Sequence, residues 1–314
     1  MKKLFFLNLW VLSCVFTGCK EFIEPSIAKR NVVQLAPANS SESTQYNQTF
    51  WWEPVEDALK YRLQVVSPDF DRTLVLVLDT LVETNKFNYT LEPGTYEWRV
   101  RAENGSSETA YSKSTFLIHA SSITDQKVQL QLPANNTLTN QASNVFTWLK
   151  LFGADRYNLQ IDTNNFVDES KLFLNETLAE QEFTVNFERD KLYKWRVKVK
   201  NDTEESKWSN VQQITFDKTP PAIVVLVSPA NNELSAKPVS LRWNATATAV
   251  KYQLYLYKTE SRVPYGTKFP VILTTTSYSF TEGNSAEKIY WEVRAIDEAG
   301  NTGPYSELRS FVIQ

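Results

Sequence analysis

LEPGTYEWRVRAEN, residues Leu91 to Asn104, is the stretch whose reading decides the fold of this 314-residue chain. It alternates with a period of two, so an extended strand places Tyr96, Trp98, Val100 and Ala102 on one face and Glu97, Arg99, Arg101 and Glu103 on the other. The same apolar set returns as Tyr193, Trp195, Val197 and Val199, with Lys194, Arg196, Lys198 and Lys200 alternating, and again as Ile289, Trp291, Val293 and Ala295. The three tryptophans stand 97 and 96 residues apart.

Other landmarks keep that interval. Pro37-Ala38-Asn39, Pro133-Ala134-Asn135 and Pro229-Ala230-Asn231 are spaced by 96 and 96 residues. Trp52, Trp148 and Trp243 follow at 96 and 95, as do Tyr61, Tyr157 and Tyr252. Landmarks in constant register define a repeat of 96 residues, close to the roughly 100 of a seven-strand sandwich. Each repeat reads as a first strand ending at the Pro-Ala-Asn turn, a second with an inward Trp, and a third with inward Tyr and Leu. A further strand, the Trp strand and a last strand opened by an aromatic-Ser pair complete it (Tyr111-Ser112, Trp208-Ser209, Tyr305-Ser306).

With these residues in place, the chain from about residue 32 to 314 resembles the fibronectin type III family. The early-strand Trp, the Tyr-x-Leu third strand and the Leu-x-Pro-Gly-Thr-Tyr run into Trp98 carry the resemblance. It implies an all-β fold of three tandem immunoglobulin-like (fibronectin type III) β-sandwich domains, over residues 32–119, 120–217 and 218–314. Tyr96 and Tyr193 match the family's tyrosine-corner position, whereas the third repeat has Ile289 there, so that hydrogen bond must be absent or replaced. The paired Pro220 and Pro221 are expected to stiffen the second joint by fixing φ.

Composition narrows function mainly by exclusion. The formal charge of −3 becomes −5 when Lys2 and Lys3 are set aside, which gives no electrostatic case for nucleic acid. Both cysteines, Cys14 and Cys19, precede the repeats, so the repeats can hold neither a disulfide nor a thiolate metal site. His119 is the sole histidine and sits at a repeat edge; no Ser-His-Asp set, P-loop or dinucleotide fingerprint occurs. No cofactor, no metal and no enzymatic activity are expected. The acidic pairs Asp69 with Asp71, and Asp168 with Glu169, fall in the variable loop after the third strand without a ligand spacing and read as surface charge.

Residues 1–18 have the layout of an export signal, with Lys2 and Lys3, an apolar run from Leu4 to Phe16, then Thr17 and Gly18. That run is shorter than the roughly 20 residues a membrane-spanning helix needs. Phe16-Thr17-Gly18-Cys19 resembles a bacterial lipobox, with Phe where Leu is preferred; Val11-Leu12-Ser13-Cys14 is a second candidate that would shorten the apolar run. The resemblance implies acylation at Cys19, with palmitate among the attached chains, and Lys20 in place of Asp points by analogy to the outer membrane, with cell-surface exposure as the further possibility. Residues 19–31 then read as a lipidated tether.

Strand parity singles out two candidate contact features. Tyr255 and Tyr257 point outward on the third strand of the last repeat, beside the long excursion from Lys258 to Leu273, and the strand order that the resemblance implies puts Tyr290, Glu292 and Arg294 of its Trp strand on the same outer face. Outward aromatics with a few polar groups suit a sugar or a protein partner, or pair with one another and with the excursion. Trp51 also falls outward, between the inward Phe50 and Trp52. The expected function is a non-enzymatic, outer-membrane-anchored lipoprotein whose sandwiches present a binding or adhesion face to a protein or glycan partner. The alternatives are an accessory glycan-binding lipoprotein of a polysaccharide import system, and a structural spacer or assembly subunit of an envelope complex.

Overall fold

The structure, a computed structural model, describes residues 24–314. The leader, Cys14 and Cys19 lie outside the described residues. One strand order occurs three times. The first repeat contains β1 (Gln34–Ala36), β2 (Ser41–Ser43), β3 (Asn47–Trp52), β4 (Lys60–Ser67), β5 (Val75–Val82), β6 (Lys86–Thr90), β7 (Gly94–Glu103) and β8 (Ser112–Ile118). They form a three-stranded sheet, β1-β3-β6, and a five-stranded sheet, β2-β8-β7-β4-β5.

The second repeat contains β9 (Leu130–Leu132), β10 (Thr137–Thr139), β11 (Ser143–Trp148), β12 (Arg156–Asp162), β13 (Leu174–Leu178), β14 (Glu182–Asn186), β15 (Lys191–Lys200) and β16 (Gln212–Phe216). The third contains β17 (Leu226–Ser228), β18 (Glu233–Ser235), β19 (Val239–Trp243), β20 (Ala249–Tyr257), β21 (Val271–Leu273), β22 (Ser277–Phe280), β23 (Lys288–Asp297) and β24 (Arg309–Ile313). The sheets β14-β11-β9 with β10-β16-β15-β12-β13, and β17-β19-β22 with β18-β24-β23-β20-β21, repeat the arrangement. The fold is three tandem immunoglobulin-like β-sandwiches of the fibronectin type III kind, as the sequence implies.

The Pro-Ala-Asn turn explains why each first strand is split. Proline has no N–H for the ladder, so the chain leaves the three-stranded sheet there. The asparagine then receives it on the other sheet: its Oδ1 accepts from the backbone N–H of Thr115, Gln213 or Ser310, at 3.0, 3.0 and 2.9 Å. The short strands β2, β10 and β18 run parallel to β8, β16 and β24.

Between the sheets, each core is built on the tryptophans that the alternation turns inward. Trp98, Trp195 and Trp291 are fully buried. Phe50 meets Trp98 edge-on at 5.3 Å, and Phe146 meets Trp195 at 4.9 Å. Third-strand tyrosines bury their rings and turn their hydroxyls to a loop, where Tyr61, Tyr157 and Tyr252 accept from the backbone N–H of Val55, Leu151 and Thr246. The tyrosine corner is present in the second repeat, where Tyr193 donates to the Arg189 carbonyl at 2.9 Å; in the third, buried Ile289 fills the position with hydrocarbon.

Two compact units can be distinguished: one gathers most of the first repeat, the other the second and third repeats with Gln45–Asn47 and Thr90–Glu92. Of the segment expected as a tether, residues 24–31 lie against the first sandwich. Ile27 is fully buried and its N–H donates to Ser107 Oγ at 2.8 Å, while Arg30 pairs with Glu56 and Asp57. Within the second unit, the Pro221 carbonyl oxygen lies 2.6 Å from where a Cβ on Gly303 would be, and Asn301 Nδ2 donates to the Asp217 carbonyl at 2.9 Å.

Candidate functional site

Each five-stranded sheet carries an arginine held against aromatic rings on its outer face. Cross-strand register sets Gln64 opposite Arg99, Gln160 opposite Arg196 and Gln253 opposite Arg294. In every case the arginine Nε donates to the glutamine Oε1, at 2.8, 3.0 and 2.8 Å. Arg99 lies 4.0 and 4.3 Å from the ring centres of Phe70 and Tyr111; Arg196 lies 4.1 Å from both Phe166 and Trp208. Guanidinium planes attract aromatic faces, so these clamps hold the outer surface in order.

The aromatic-Ser pair opening the last strand supplies one ring of each clamp, and the serine fixes its position. Ser209 and Ser306 accept through Oγ from the N–H of Val197 and Val293, both at 3.0 Å, and donate to the Asn210 and Glu307 carbonyls.

The third repeat differs in a way that opens the face. Its pair is displaced by two residues along the strands, because Glu292 stands where Arg99 and Arg196 stand and Tyr255 stands where Gln64 and Gln160 stand. Arg294 lies farther from its rings, 5.6 Å from Tyr255 and 5.0 Å from Tyr305. Tyr305 is exposed at 41 %, whereas Tyr111 and Trp208 are half-buried. Tyr255 meets Tyr305 edge-on at 5.3 Å, and burial, then the Tyr305 hydroxyl, push its phenol up to about 12. Tyr290 is half-buried on the same face, with Lys288 5.3 Å from its ring centre.

The candidate residues therefore fall into three places. Tyr255, Tyr290 and Arg294 share the outer face of the last sandwich. Tyr257 corrects the parity reading: although it stacks on Tyr255 at 6.1 Å, it is 6 % exposed and offers no ring to a ligand. The excursion after β20 folds back over it, held by Lys258 N–H on the Val263 carbonyl and Tyr265 N–H on that of Leu256. Under this cover the Tyr257 hydroxyl donates to buried Glu292 at 2.8 Å. Burial, then the bond to Glu292, raises the phenol's pKa. Trp51 belongs to the first repeat, 44 % exposed, with Lys86 5.9 Å from its ring centre.

Tyr305 is the face residue that parity missed, since it precedes its strand; the signal available was the recurrence of an aromatic before Ser112, Ser209 and Ser306. A separate hollow of 350 Å³ in the second repeat is lined by Thr163, Lys171, Phe173, Glu188, Arg189, Lys191 and Tyr193.

Of the residues weighed for chemistry, His119, Asp69, Asp168 and Glu169 have structural partners. His119 Nε2 and Glu42 Oε2 lie 2.7 Å apart. Hydrogen bonding from Arg72 lowers the Asp69 pKa, and hydrogen bonding from Ser170 and then Lys171 lowers that of Asp168. Among the described residues no three His, Cys, Asp or Glu side chains gather as a metal site, and no helix is long and apolar enough to cross a membrane.

No family model matches the chain, and no curated protein matches it. Among solved structures it is similar to the FN1-FN3 domains of chicken CNTN1, with 14 % identity, 90 % of this chain and 97 % of that chain covered, and a TM-score of 0.44. It is also similar to fibronectin(III)-like modules of Clostridium thermocellum CbhA, with 10 % identity, 60 % and 94 % covered, and a TM-score of 0.38.

Proposed function

We propose that this chain is a non-enzymatic lipoprotein, acylated at Cys19 and held at the outer membrane, whose sandwiches present a contact face to a protein or glycan partner. The observation that carries the binding role is Tyr305 beside Arg294 and Tyr255, exposed where the corresponding Tyr111 and Trp208 are half-buried. An exposed ring beside a guanidinium offers stacking for a sugar or a side chain and directed donors for its polar groups. The anchor rests on the Phe16-Thr17-Gly18-Cys19 sequence, and several acyl chains at about 0.8 kcal/mol per buried CH₂ would hold the protein on a bilayer.

The test is a glycan array and an envelope pull-down with residues 20–314, comparing the parent with Tyr305→Ala and Arg294→Ala. A bound partner that both changes release supports the reading. Equal signals from all three proteins refute the role of this face. Labelling with a fatty-acid analogue, abolished by Cys19→Ala, tests the anchor separately.

A further inference from the structure

As a free tether, residues 19–31 could hold the first sandwich roughly 40 Å from an anchor at Cys19. Residues 24–31 are instead fastened to one end of that sandwich. The loop after β7 holds their beginning: Gly105 N–H donates to the Glu24 carboxylate, Asn104 Nδ2 to the Pro25 carbonyl at 2.9 Å, and Ile27 N–H to Ser107 Oγ. The loop after β3 holds their end, where Arg30 pairs with Glu56 and Asp57. Asn104 Nδ2 also donates to the Asp57 carbonyl at 3.1 Å and so ties the two loops together, while Ile27 is fully buried. Only five Cα steps then separate Cys19 from Glu24, a reach of about 18 Å at most.

Strand register fixes which end this is. Lys60 pairs with Glu103, so loops 53–59 and 104–111 leave the five-stranded sheet together, whereas Gly94 pairs with Ile118 at the opposite end. The ten residues of β7 put roughly 30 Å between the two ends, and the chain goes on through His119 from the far one. Charge does not draw the near end to anionic lipid, because exposed Glu53, Glu56, Asp57 and Glu108 outnumber Lys29 and Arg30 there. Leu59, 60 % exposed, and Pro54 give it an apolar edge. Short reach, not electrostatic attraction, is what brings this end to a membrane.

We propose that a bilayer surface is the partner of this end of the first repeat: the docked segment is a splint that seats loops 53–59 and 104–111 on the membrane and sends the chain on from the opposite end of the sheet. This seating rests on acylation at Cys19 and is independent of the contact face of the third repeat.

The test uses residues 19–314, in which Cys19 is the sole cysteine, with a maleimide phospholipid coupled to its thiol, so that seating is read whether or not cells acylate the residue. On phosphatidylcholine vesicles carrying an acceptor lipid, a donor dye is placed through a non-natural amino acid at Leu59 in one preparation. In another it is placed at Leu74, 84 % exposed and bonded to the far end of β4. The two positions lie about 25 Å apart along β4, so energy transfer is expected to be roughly twofold or more stronger from Leu59. Twenty Gly/Ser residues inserted between Ile23 and Glu24 touch none of the docking contacts and add about 25 Å of root-mean-square reach, so they should abolish the difference. Equal transfer from both positions overturns the proposal, as does transfer from Leu59 that the insertion leaves unchanged. A chain that seats when chemically lipidated, yet shows no Cys19-dependent fatty-acid labelling in cells, loses its anchor and with it the bilayer as partner. A chain that is labelled but not seated loses this proposal alone.

Discussion

Arg262 grips Glu292 with both arms of its guanidinium: Nε donates to Oε1 at 3.0 Å and Nη2 to Oε2 at 2.9 Å. The carboxylate is 1 % exposed, and the arginine arrives from the loop above it with a left-handed φ of 65°. Tyr257 supplies a third donor from below. A charge buried this deeply persists only with its donors in place.

Tyr257→Phe removes one of those donors without changing the ring. It should destabilise the third repeat by about 2 kcal/mol, measured by chemical denaturation. Glu292→Gln should release the loop over Tyr257, read as faster amide exchange across residues 258–265. Unchanged exchange would mean that the loop is held by its backbone bonds alone.

Arg196 combines two rings, a glutamine and Glu169 in one place. Arg196→Lys keeps the charge and loses the planar fork, so it should cost about 1–2 kcal/mol in stability, nearly as much as Arg196→Ala. A lysine variant as stable as the parent would reduce the clamp to a simple charge.

Gly303 occupies the position of Thr109 and Ser206, whose hydroxyls accept from Ala102 N–H and Val199 N–H at 3.1 and 3.0 Å. A Cβ there meets the Pro221 carbonyl, which is backbone and cannot rotate aside. Gly303→Ala should cost roughly 1–3 kcal/mol and speed proteolytic cutting near residues 217–221. Parent-like cutting would show that the joint shifts freely.

Tyr255 titrates late, at about 12 against an ordinary 10.0. Its folded-state pKa is raised, so the associated stability is fully present below pH 10 and is lost as pH climbs through 12. Phenolate absorbance should show a late step missing in Tyr255→Phe. A variant with an identical titration curve would assign that step to another tyrosine.

Much of the fold was legible because two-residue alternation and burial are the same fact seen twice: Trp98, Val100 and Ala102, inward by parity, are fully buried. The family resemblance supplied the strand order, which periodicity alone does not encode. Parity failed where a loop overrode it. Tyr257 is outward by count and covered in fact, because a loop can fold back onto either face of a sheet. Glu97 is another case: outward by parity, it is 5 % exposed, since the same loop in the first repeat lays Phe70 N–H on its carboxylate and Lys113 reaches it from β8. Of the candidate face, Tyr255, Tyr290 and Arg294 were found by parity, while Tyr305 required comparing repeats.

The parallel seam between β2 and β8, repeated as β10 with β16 and β18 with β24, bears on how each sandwich meets mechanical load. Each seam joins an early strand to the last strand of its repeat, so tension on the two ends slides parallel neighbours past each other. Their cross-links are strained together in shear, where a hairpin would peel open one link at a time. Under a pull on the two ends of a repeat, rupture of the domain is then governed by the rate of that concerted slip and not by its equilibrium stability.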